Sequence, residues 1–274
     1  MRYADQHVHT ACSRDSDVPM RVMAENARAR GMAAICFTDH IDMADAVTGA
    51  NDPDYPALWD AGRAMRRELR ENPTEGIELR FGMELGEALQ MPELSRKAAE
   101  EEELDFVLGS LHNLPDTPDF YFYRYTSEAE CRALNHRYLA ALRALADFPA
   151  FDVMAHVGYT ARYMRRAGFT ERIEADGEYR DELADILSAL ISQGRGIEVN
   201  ASGLRTGDTT YPSESILRLY RDLGGEVLTV GGDAHKASDV GVGIPEAYEL
   251  LRSLGFRYVA EFIRRKPRFT ALDT

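Results

Sequence analysis

Short apolar runs alternate along the chain with longer segments whose apolar positions recur at helical spacing. Short apolar runs are typical of buried strands, and the longer periodic segments are typical of amphipathic helices. The predicted strands cover residues 3–8, 33–38, 77–85, 106–110, 151–156, 196–200 and 227–232. The predicted helices cover residues 19–30, 55–71, 92–103, 127–146, 178–193, 213–223 and 245–254, with a weaker helix near 259–264.

This order of elements predicts an α/β fold with a parallel sheet, because parallel strands need the crossover connections that helices supply. Seven such units without a glycine-rich nucleotide-binding motif favour a closed, single (β/α)7 barrel over an open sheet. A chain of 274 residues is long for one domain but ordinary for an α/β barrel. We therefore predict one domain over residues 1–274, with its site in the loops after the strands.

Composition and charge narrow the possible partners. The chain is 45% hydrophobic and 28% charged, like ordinary globular proteins. Its net charge of −14 disfavours nucleic acid, whose phosphates need a basic groove. No apolar run reaches the ~18 residues of a membrane helix, and the N-terminal residues lack the pattern of a signal peptide. Three cysteines without CxxC spacing suit a reducing compartment, so we expect a cytoplasmic location.

Six of the seven histidines fall at or just beyond the carboxyl end of a predicted strand. The seventh, His136, lies within a predicted helix, where we expect a structural or surface role. Two carboxylates share the strand-end placement. The complete set is His7, His9, His40, Glu84, His112, His156, Asp233 and His235. Because the carboxyl ends of barrel strands converge, these side chains are expected to meet.

Imidazole and carboxylate ligands suit zinc, iron or manganese. His7 and His9 are two residues apart, so strand geometry places both on one face, and Asp233 and His235 have the same spacing. The candidate ligands outnumber those that one tetrahedral ion needs. The sequence therefore predicts a cluster of two or three divalent metal ions.

Individual carboxylates allow more than one interpretation. Glu84 lies between two histidine pairs and is expected to bridge two ions, with a salt bridge at the barrel mouth as the alternative. Asp15 is a candidate loop ligand or an N-cap of the following helix, for which Asp17 is better placed. Asp39 is expected to orient a ligand imidazole through its second nitrogen rather than to bind metal itself.

These residues resemble those of the polymerase and histidinol phosphatase (PHP) superfamily over nearly the whole chain. The matching positions are HVH at 7–9, TDH at 38–40, Glu84, His112, His156 and DAH at 233–235. The resemblance implies a distorted (β/α)7 barrel of the PHP type that binds three metal ions. It implies a first ion on His7, His9, Glu84 and Asp233, a second on Glu84, His112 and His156, and a third on His40, His235 and Asp15. Some members have a histidine where this chain has Asp15.

Flanking stretches resemble the histidinol-phosphate phosphatase branch of that superfamily. They are EVNASGLR at 198–205, YPS at 211–213 and GGDAHKASDVG at 231–241. The resemblance implies phosphate binding by Arg205 and by Arg162, with Arg165 and Arg166 as alternatives to Arg162. Arg205 also has support of its own, since it follows a strand in a Gly/Ser-rich loop and arginine binds phosphate bidentately. A solvated loop charge is the alternative for Arg205.

The resemblance implies a phosphomonoesterase that hydrolyses L-histidinol phosphate in histidine biosynthesis. A water bridging two ions would be acidified toward hydroxide and attack phosphorus, while ions and arginines neutralise the phosphoryl charge. The predicted catalytic residues are Glu84, Asp15 and Asp233, and Asp15 or a metal-bound water is the candidate proton donor. Asn200 and Asn113 are candidates for orienting substrate or for capping turns. Residues 119–125, DFYFYRY, offer aromatic faces for an imidazole or sugar, or packing under a lid.

Three alternatives to this function differ in their sequence requirements. A PHP-type enzyme could act on another small phosphoester, such as a nucleotide. An amidohydrolase barrel also begins with HxH and ends with Asp, but Asp39-His40 and the histidine at 235 fit that pattern poorly. A non-catalytic metal-binding module would be expected to lack some of the ligands or phosphate-binding arginines, and this chain has both.

Overall fold

The computed structural model describes residues 1–272, which form an α/β barrel with a small hairpin. The strands are β1 (Ala4–Val8), β2 (Ala34–Phe37), β3 (His40–Asp42), β4 (Glu78–Gly86), β5 (Phe106–Ser110), β6 (Val153–Met154), β7 (Gly196–Asn200), β8 (Leu228–Gly231), β9 (Tyr258–Ile263) and β10 (Lys266–Ala271). The α-helices are α1 (Met20–Ala29), α2 (Ala57–Glu71), α3 (Pro92–Ala99), α4 (Glu128–Ala146), α5 (Thr160–Arg166), α6 (Arg180–Ser192), α7 (Glu214–Asp222) and α8 (Ile244–Ser253). A 3-10 helix covers Ser202–Thr206.

Seven parallel strands run around the barrel in the order β1-β2-β4-β5-β6-β7-β8. The two ends of this order meet just beyond the strands. There the amide of Asp233 donates to the carbonyl of His7 at 2.7 Å, and the amide of His9 donates to the carbonyl of Ala234 at 3.0 Å. The predicted (β/α)7 barrel is therefore confirmed. The single domain over 1–274 stays a prediction, because residues 273–274 lie outside the described part.

The second predicted strand is interrupted after Phe37. Asp39 turns away from the barrel wall, where its carboxylate accepts bonds from Thr10 N at 2.5 Å, Thr10 Oγ1 at 2.9 Å and Ser13 Oγ at 2.9 Å. The chain then resumes as β3, which pairs with β4 so that His40 lies opposite Glu84. The interruption therefore places His40 beside Glu84.

The helices pack their apolar faces on the outside of the barrel, as their periodicity predicted. Helix α3 ends at Ala99, before residue 103 where the prediction ended it. Helix α5 was not predicted, and it carries Arg162 into the loop region after β6. His136 lies on α4 with its Nδ1 2.9 Å from Glu182 Oε2 on α6, so it joins two helices at the surface.

The helix predicted near residues 259–264 is wrong, because that segment forms β9, which pairs antiparallel with β10. Phe262 is buried and stacks on Phe106 of the barrel interior, with ring centroids 5.0 Å apart. The side chain of Gln6 bonds the backbone of β9 at Ala260 O and Phe262 N. Burial against the barrel and backbone pairing outweigh the local helical pattern. The hairpin covers the amino end of the barrel.

All three cysteines are unpaired thiols and buried. Within residues 1–272, no helix has the length and apolar character needed to cross a membrane.

Candidate metal centre

The predicted ligands meet at the carboxyl end of the barrel, around a cavity of about 810 Å³. They arrive from separate strand ends, and most are buried. Asp15 is the most exposed, because it lies in the loop after β1. The nine side chains are His7, His9, Asp15, His40, Glu84, His112, His156, Asp233 and His235.

Glu84 occupies the centre of the cluster and is 1% exposed. Its Oε1 lies 2.8 Å from His156 Nε2 and 3.1 Å from His112 Nε2. Its Oε2 lies 3.2 Å from His7 Nε2 and 3.2 Å from His40 Nδ1. The two oxygens therefore contact different imidazole pairs, which is the placement that a bridging carboxylate needs.

The HxH pair converges with Asp233. The Nε2 atoms of His7 and His9 are 3.0 Å apart, and Asp233 Oδ1 lies 3.4 Å from His9 Nε2 and 3.8 Å from His7 Nε2. Two imidazole nitrogens aimed at one point beside a carboxylate form a suitable ligand set for a cation.

A third group lies nearer the solvent. His235 Nε2 is 2.9 Å from Asp15 Oδ2, and His40 Nε2 is 3.6 Å from the same oxygen. The rings of His9 and His235 stack with their centroids 4.0 Å apart. Asp15 thus contacts the two histidines with which the sequence grouped it, and it caps no helix, since Pro19 precedes α1.

The donor atoms fit a metal site. Among residues 1–272, all of the predicted ligands except His156 fall into overlapping groups whose donor atoms lie within 4.8 Å of one another. His40 Nδ1 and His235 Nε2 are buried and form no regular hydrogen bond, although Glu84 Oε2 lies 3.2 Å and Asp15 Oδ2 lies 2.9 Å from them. Buried nitrogens without partners are costly. A bound cation would satisfy such atoms, so the residues fit the predicted cofactor class.

Charge states within the cluster also suit cation binding. Burial opposes ionisation of Glu84, but the charges of His7, His112 and His40 outweigh it and hold its pKa well below the usual range. The pKa of Asp233 is likewise held low, chiefly by His7 against burial. Both carboxylates are therefore anionic at neutral pH.

His9 differs from the other imidazoles. Burial, together with the charges of His235 and His40, lowers its pKa to about 3, so it is neutral at pH 7 and offers a nitrogen lone pair. His7 has its pKa raised, because the charges of Glu198 and Glu84 outweigh burial. A cation bound there would displace the proton of His7, so metal binding is expected to weaken at low pH.

The sequence interpretation did not identify three carboxylates that lie behind the predicted ligands, which are Glu198, Asp42 and Glu87. Glu87 is buried and accepts a bond from the amide of His112 at 2.6 Å. Glu198 on β7 contacts His7 Nδ1 at 2.6 Å and accepts a bond from the amide of His156 at 3.0 Å. Glu198 is two residues before Asn200, and residues two apart on a strand face the same side. The sequence could therefore have identified Glu198 as facing the same way as Asn200. Contacts of this type fix the ring orientation and tautomer of a metal ligand.

Asp42 is the second such carboxylate, at the end of β3. Its oxygens lie 3.5 Å from His40 Nδ1 and 3.6 Å from His112 Nδ1. The approach requires Gly86, because a Cβ there would lie only 2.0 Å from Asp42 Oδ1.

Asp39 acts through Ser13, whose hydroxyl lies 3.1 Å from His9 Nδ1. The position of Asp39 thus agrees with an orienting role, exerted through a hydroxyl.

The two candidate phosphate-binding arginines both line the cavity. Arg205 donates to the carbonyl of Asp233 at 3.0 Å and also to the carbonyl of Gly232. Arg162 Nη1 lies 3.7 Å from Asp233 Oδ2 and 3.3 Å from Ser202 Oγ. Protein contacts therefore hold the guanidinium group of Arg162 beside the Asp233 carboxylate and that of Arg205 against the backbone of Gly232 and Asp233.

The alternative arginines point elsewhere. Arg165 pairs with Asp208 at 3.0 Å, and Arg166 lies over the ring of Tyr121 at 4.9 Å. Among the three arginines of α5, Arg162 is thus the one that lines the cavity.

Both candidate asparagines form hydrogen bonds within the protein. Asn200 is fully buried, and its Nδ2 contacts Glu198 Oε2 at 3.2 Å and Asp233 Oδ2 at 3.4 Å. Asn113 donates to the carbonyls of Leu114 and Thr117, which is the turn-capping alternative. Substrate contact by Asn200 stays a prediction, and the geometry places this residue behind Asp233.

Two ligands adopt left-handed backbone conformations. His156 has φ of 26° and Asp233 has φ of 52°. Such conformations are unfavourable for residues other than glycine, and they are concentrated at functional sites. Strand β6 ends at Met154, earlier than residue 156 where the prediction ended it.

A (β/α)7 barrel with imidazoles, carboxylates and two arginines around its mouth defines the class of metal-dependent hydrolases. The sequence profile of the PHP domain matches residues 5–202, and the chain belongs to the PHP domain family. The sequence-based prediction of this family is confirmed.

Relatives of known name agree with that family. The chain is 28% identical over 269 residues to the histidinol-phosphatase of Lactococcus lactis, covering 96% of this chain and 95% of that protein. The crystal structure of histidinol phosphate phosphatase from the same organism, complexed with zinc, L-histidinol and phosphate, has a TM-score of 0.77 and 26% identity, covering 97% and 99% of the two chains. A structure from Listeria monocytogenes, 17% identical over 89% of this chain and 99% of that one, shares the fold at a TM-score of 0.69. The predicted enzyme class, a metal-dependent phosphatase, is confirmed by the family and by the two Lactococcus lactis matches.

Proposed function

We propose that this chain hydrolyses L-histidinol phosphate to L-histidinol and phosphate, as a step of histidine biosynthesis. The observation that carries the proposal is the similarity over nearly the whole chain to the Lactococcus lactis structure complexed with zinc, L-histidinol and phosphate. The cavity of this chain supports it independently, because two arginines adjoin a cluster of metal-ligand side chains there.

We further propose that three divalent ions bind, held as the sequence interpretation grouped the ligands. Glu84 would contact two of them, with His7, His9 and Asp233 on one side and His112 and His156 on the other. The third would lie between Asp15, His40 and His235. Zinc is the first candidate, with iron and manganese as alternatives that the same donor types accept. When bound, such ions activate water and neutralise negative charge on a phosphoryl group.

The protein's own residues position the substrate. The guanidinium groups of Arg162 and Arg205 would bind phosphoryl oxygens, and Arg205 is held for this by two backbone carbonyls. A fixed guanidinium loses little side-chain entropy on binding, which favours recognition of the phosphate. The phosphoester would therefore be oriented toward the histidine cluster.

Asp15 suits a ligand better than a proton donor. Although burial opposes ionisation, the contacts with His235 and His40 hold the pKa of Asp15 below its usual range. Its carboxylate is therefore ionised at neutral pH and holds no proton to deliver to the leaving alcohol. The catalytic role predicted for Asp15 would then be to bind an ion.

The direct test combines metal analysis with a substrate panel. We expect the purified protein to carry zinc, iron or manganese by elemental analysis, and to release phosphate fastest from L-histidinol phosphate. The panel should include nucleoside monophosphates, other phosphomonoesters and an amide substrate. Faster turnover of a nucleotide would overturn the proposed substrate, and hydrolysis of the amide without any phosphoester would overturn the phosphatase assignment. The cytoplasmic location expected from the sequence stays a prediction.

A further inference from the structure

The cavity contains carboxylates that the metal cluster does not need. Besides Asp15, Glu84 and Asp233, it is lined by four acidic side chains, which are Asp42, Asp45, Asp119 and Asp239. A small phosphomonoester is an anion, so these acidic residues repel its phosphate and would attract a positive group elsewhere on the same substrate. Only a carboxylate that is not already paired within the protein is free to bind such a group.

Three of the four are already engaged or lie at the exposed rim. Asp42 contacts His40 and His112. Asp45 accepts bonds from the amide and hydroxyl of Thr48 at 2.8 and 2.7 Å within its own exposed loop. Asp239 is half-buried and accepts a bond from the hydroxyl of Ser238 at 3.0 Å.

Asp119 differs from these three. It lies in the loop between β5 and α4, whose position is fixed by a bond from its own amide to the carbonyl of Ala46 at 2.8 Å. One carboxylate oxygen accepts a bond from the amide of Tyr121 at 2.6 Å. Within residues 1–272, no arginine, lysine or histidine forms an ion pair with Asp119. This half-buried carboxylate therefore lines the cavity without a cation.

The surroundings of Asp119 strengthen the attraction of a cation. Tyr163 packs edge-on against Tyr121 with ring centroids 5.8 Å apart, and its hydroxyl contacts that of Tyr159. Tyr159 stacks on His156 of the metal cluster at 4.4 Å. Burial is the main cause that raises the pKa of Asp119. Aromatic faces lower the local polarity and themselves attract ammonium groups, so an ion pair formed here is stronger than one in open solvent.

We propose that Asp119 binds a protonated primary amine of the substrate, which makes the cavity selective for phosphate esters of amino alcohols. This inference rests on the proposed function, because it takes the substrate to be a small phosphomonoester whose phosphate lies near Arg162 and Arg205. The amine would be held by Asp119 while the phosphate is held by the arginines, so the substrate is bound at both ends.

The test compares matched substrates with and without the amine. L-histidinol phosphate is paired with 3-(imidazol-4-yl)propyl phosphate, and 2-aminopropyl phosphate is paired with propyl phosphate. The variant is Asp119→Asn, which keeps the shape of the side chain and removes its charge. The matched control is Asp45→Asn in the neighbouring exposed loop.

We expect the wild-type protein to favour the amine in each pair. Asp119→Asn should lower kcat/KM for L-histidinol phosphate roughly 30-fold or more, mainly through KM, since that is the scale of losing one partner of a desolvated ion pair. The same substitution should change kcat/KM for the amine-free partner at least tenfold less. Asp45→Asn should leave the preference for the amine intact.

Equal losses on both members of a pair would show a structural role and overturn the inference, as would an undiminished preference for the amine in Asp119→Asn. The proposed function fails separately if the wild-type protein hydrolyses the propyl pair faster than L-histidinol phosphate. The preference within the propyl pair, and its dependence on Asp119, still decides the inference in that case.

Discussion

Glu84 and Glu261 are both buried glutamates, but they lie at opposite ends of the same barrel. Glu261, in the hairpin at the amino end, is 3% exposed and contacts Arg2 Nη1 at 2.6 Å and Thr270 Oγ1 at 3.2 Å. Glu84, at the carboxyl end, is surrounded by imidazoles and has no arginine or lysine partner among the described residues. At the amino end a buried carboxylate is paired with an arginine, and at the carboxyl end a buried carboxylate lies among imidazoles that fit a metal site.

The two ends of the barrel also differ in how far their aromatic side chains are buried. At the amino end, Phe262 packs into the barrel interior and the hairpin covers the strand ends. At the carboxyl end, Tyr121 and Phe122 are each 52% exposed beside the open cavity. The amino end is therefore built for stability and the carboxyl end for binding, which is the usual division in barrels of this type. The comparison can be tested by matched substitutions at the two ends.

The largest difference is expected between Glu84→Gln and Glu261→Gln. Loss of the central anion should remove most bound metal and lower kcat by roughly 10³-fold or more, because the water-activating ions are lost. Glu261→Gln should leave the metal content per folded molecule unchanged and lower the melting temperature. Elemental analysis, phosphate release and thermal unfolding measure these effects. Retention of metal and turnover by Glu84→Gln would contradict the bridging role.

Next in size is the effect of Phe262→Ala on stability. Removing a buried phenylalanine should lower the free energy of unfolding by about 3–5 kcal/mol, from lost burial and the cavity left behind. Phe122→Ala, at the exposed rim, is the control and should cost less than about 1 kcal/mol. Denaturant unfolding measures both. Equal costs would mean that the hairpin does not contribute to the core as its contacts indicate.

A smaller effect is expected for Glu198→Gln, which weakens the contact with His7 Nδ1. The loss of a carboxylate behind a metal ligand typically costs about 10–100-fold in metal affinity or activity. Titration with a competing chelator measures this affinity, with Glu261→Gln again as the control at the other end. An unchanged affinity would show that the tautomer and orientation of His7 are fixed by other contacts.

The pH dependence of stability in chelator-treated protein should also separate the two ends. At the carboxyl end, burial and then the charge of Asp42 raise the pKa of Glu87 from 4.5 to about 8. The unfolded chain loses this proton first, so the favourable contribution is complete below pH 4.5 and is lost as pH rises through 8. Glu87→Gln should therefore gain stability relative to the wild-type protein over that interval.

Glu78 at the amino end should show the opposite slope. Burial opposes its ionisation, but bonds from Arg2 and Arg80 lower its pKa from 4.5 to about 2. Its contribution is present above pH 4.5 and is lost as pH falls through 2. Because Glu78 is largely exposed, the effect should be small. The test compares the unfolding of Glu87→Gln and Glu78→Gln with that of the wild-type protein from about pH 2 to about pH 9. The same slope of the stability difference in both variants would contradict the comparison.

Sequence alone predicted the barrel and placed most of the candidate ligands at its carboxyl end. The apolar runs gave the strands, and strand periodicity placed His7 beside His9 and Asp233 near His235. Because barrel strands all direct their carboxyl ends toward one mouth, the position of a histidine along its own strand was enough to locate it. The assignment of Asp39 as a supporting residue also depended only on its neighbours in the chain.

Only the tertiary structure decided the features that depend on distant partners. The segment 258–263 forms a strand because the side chain of Gln6 bonds its backbone and Phe106 stacks on its Phe262. Its local pattern alone resembled a helix. Glu198 acquired its role from His7, which is 191 residues away in the chain. Asp119 could be distinguished from the other acidic residues of the cavity only by its burial and by the partners of its neighbours in the folded chain. Local periodicity determines which way a side chain faces, but its charge partners are determined by packing between remote segments.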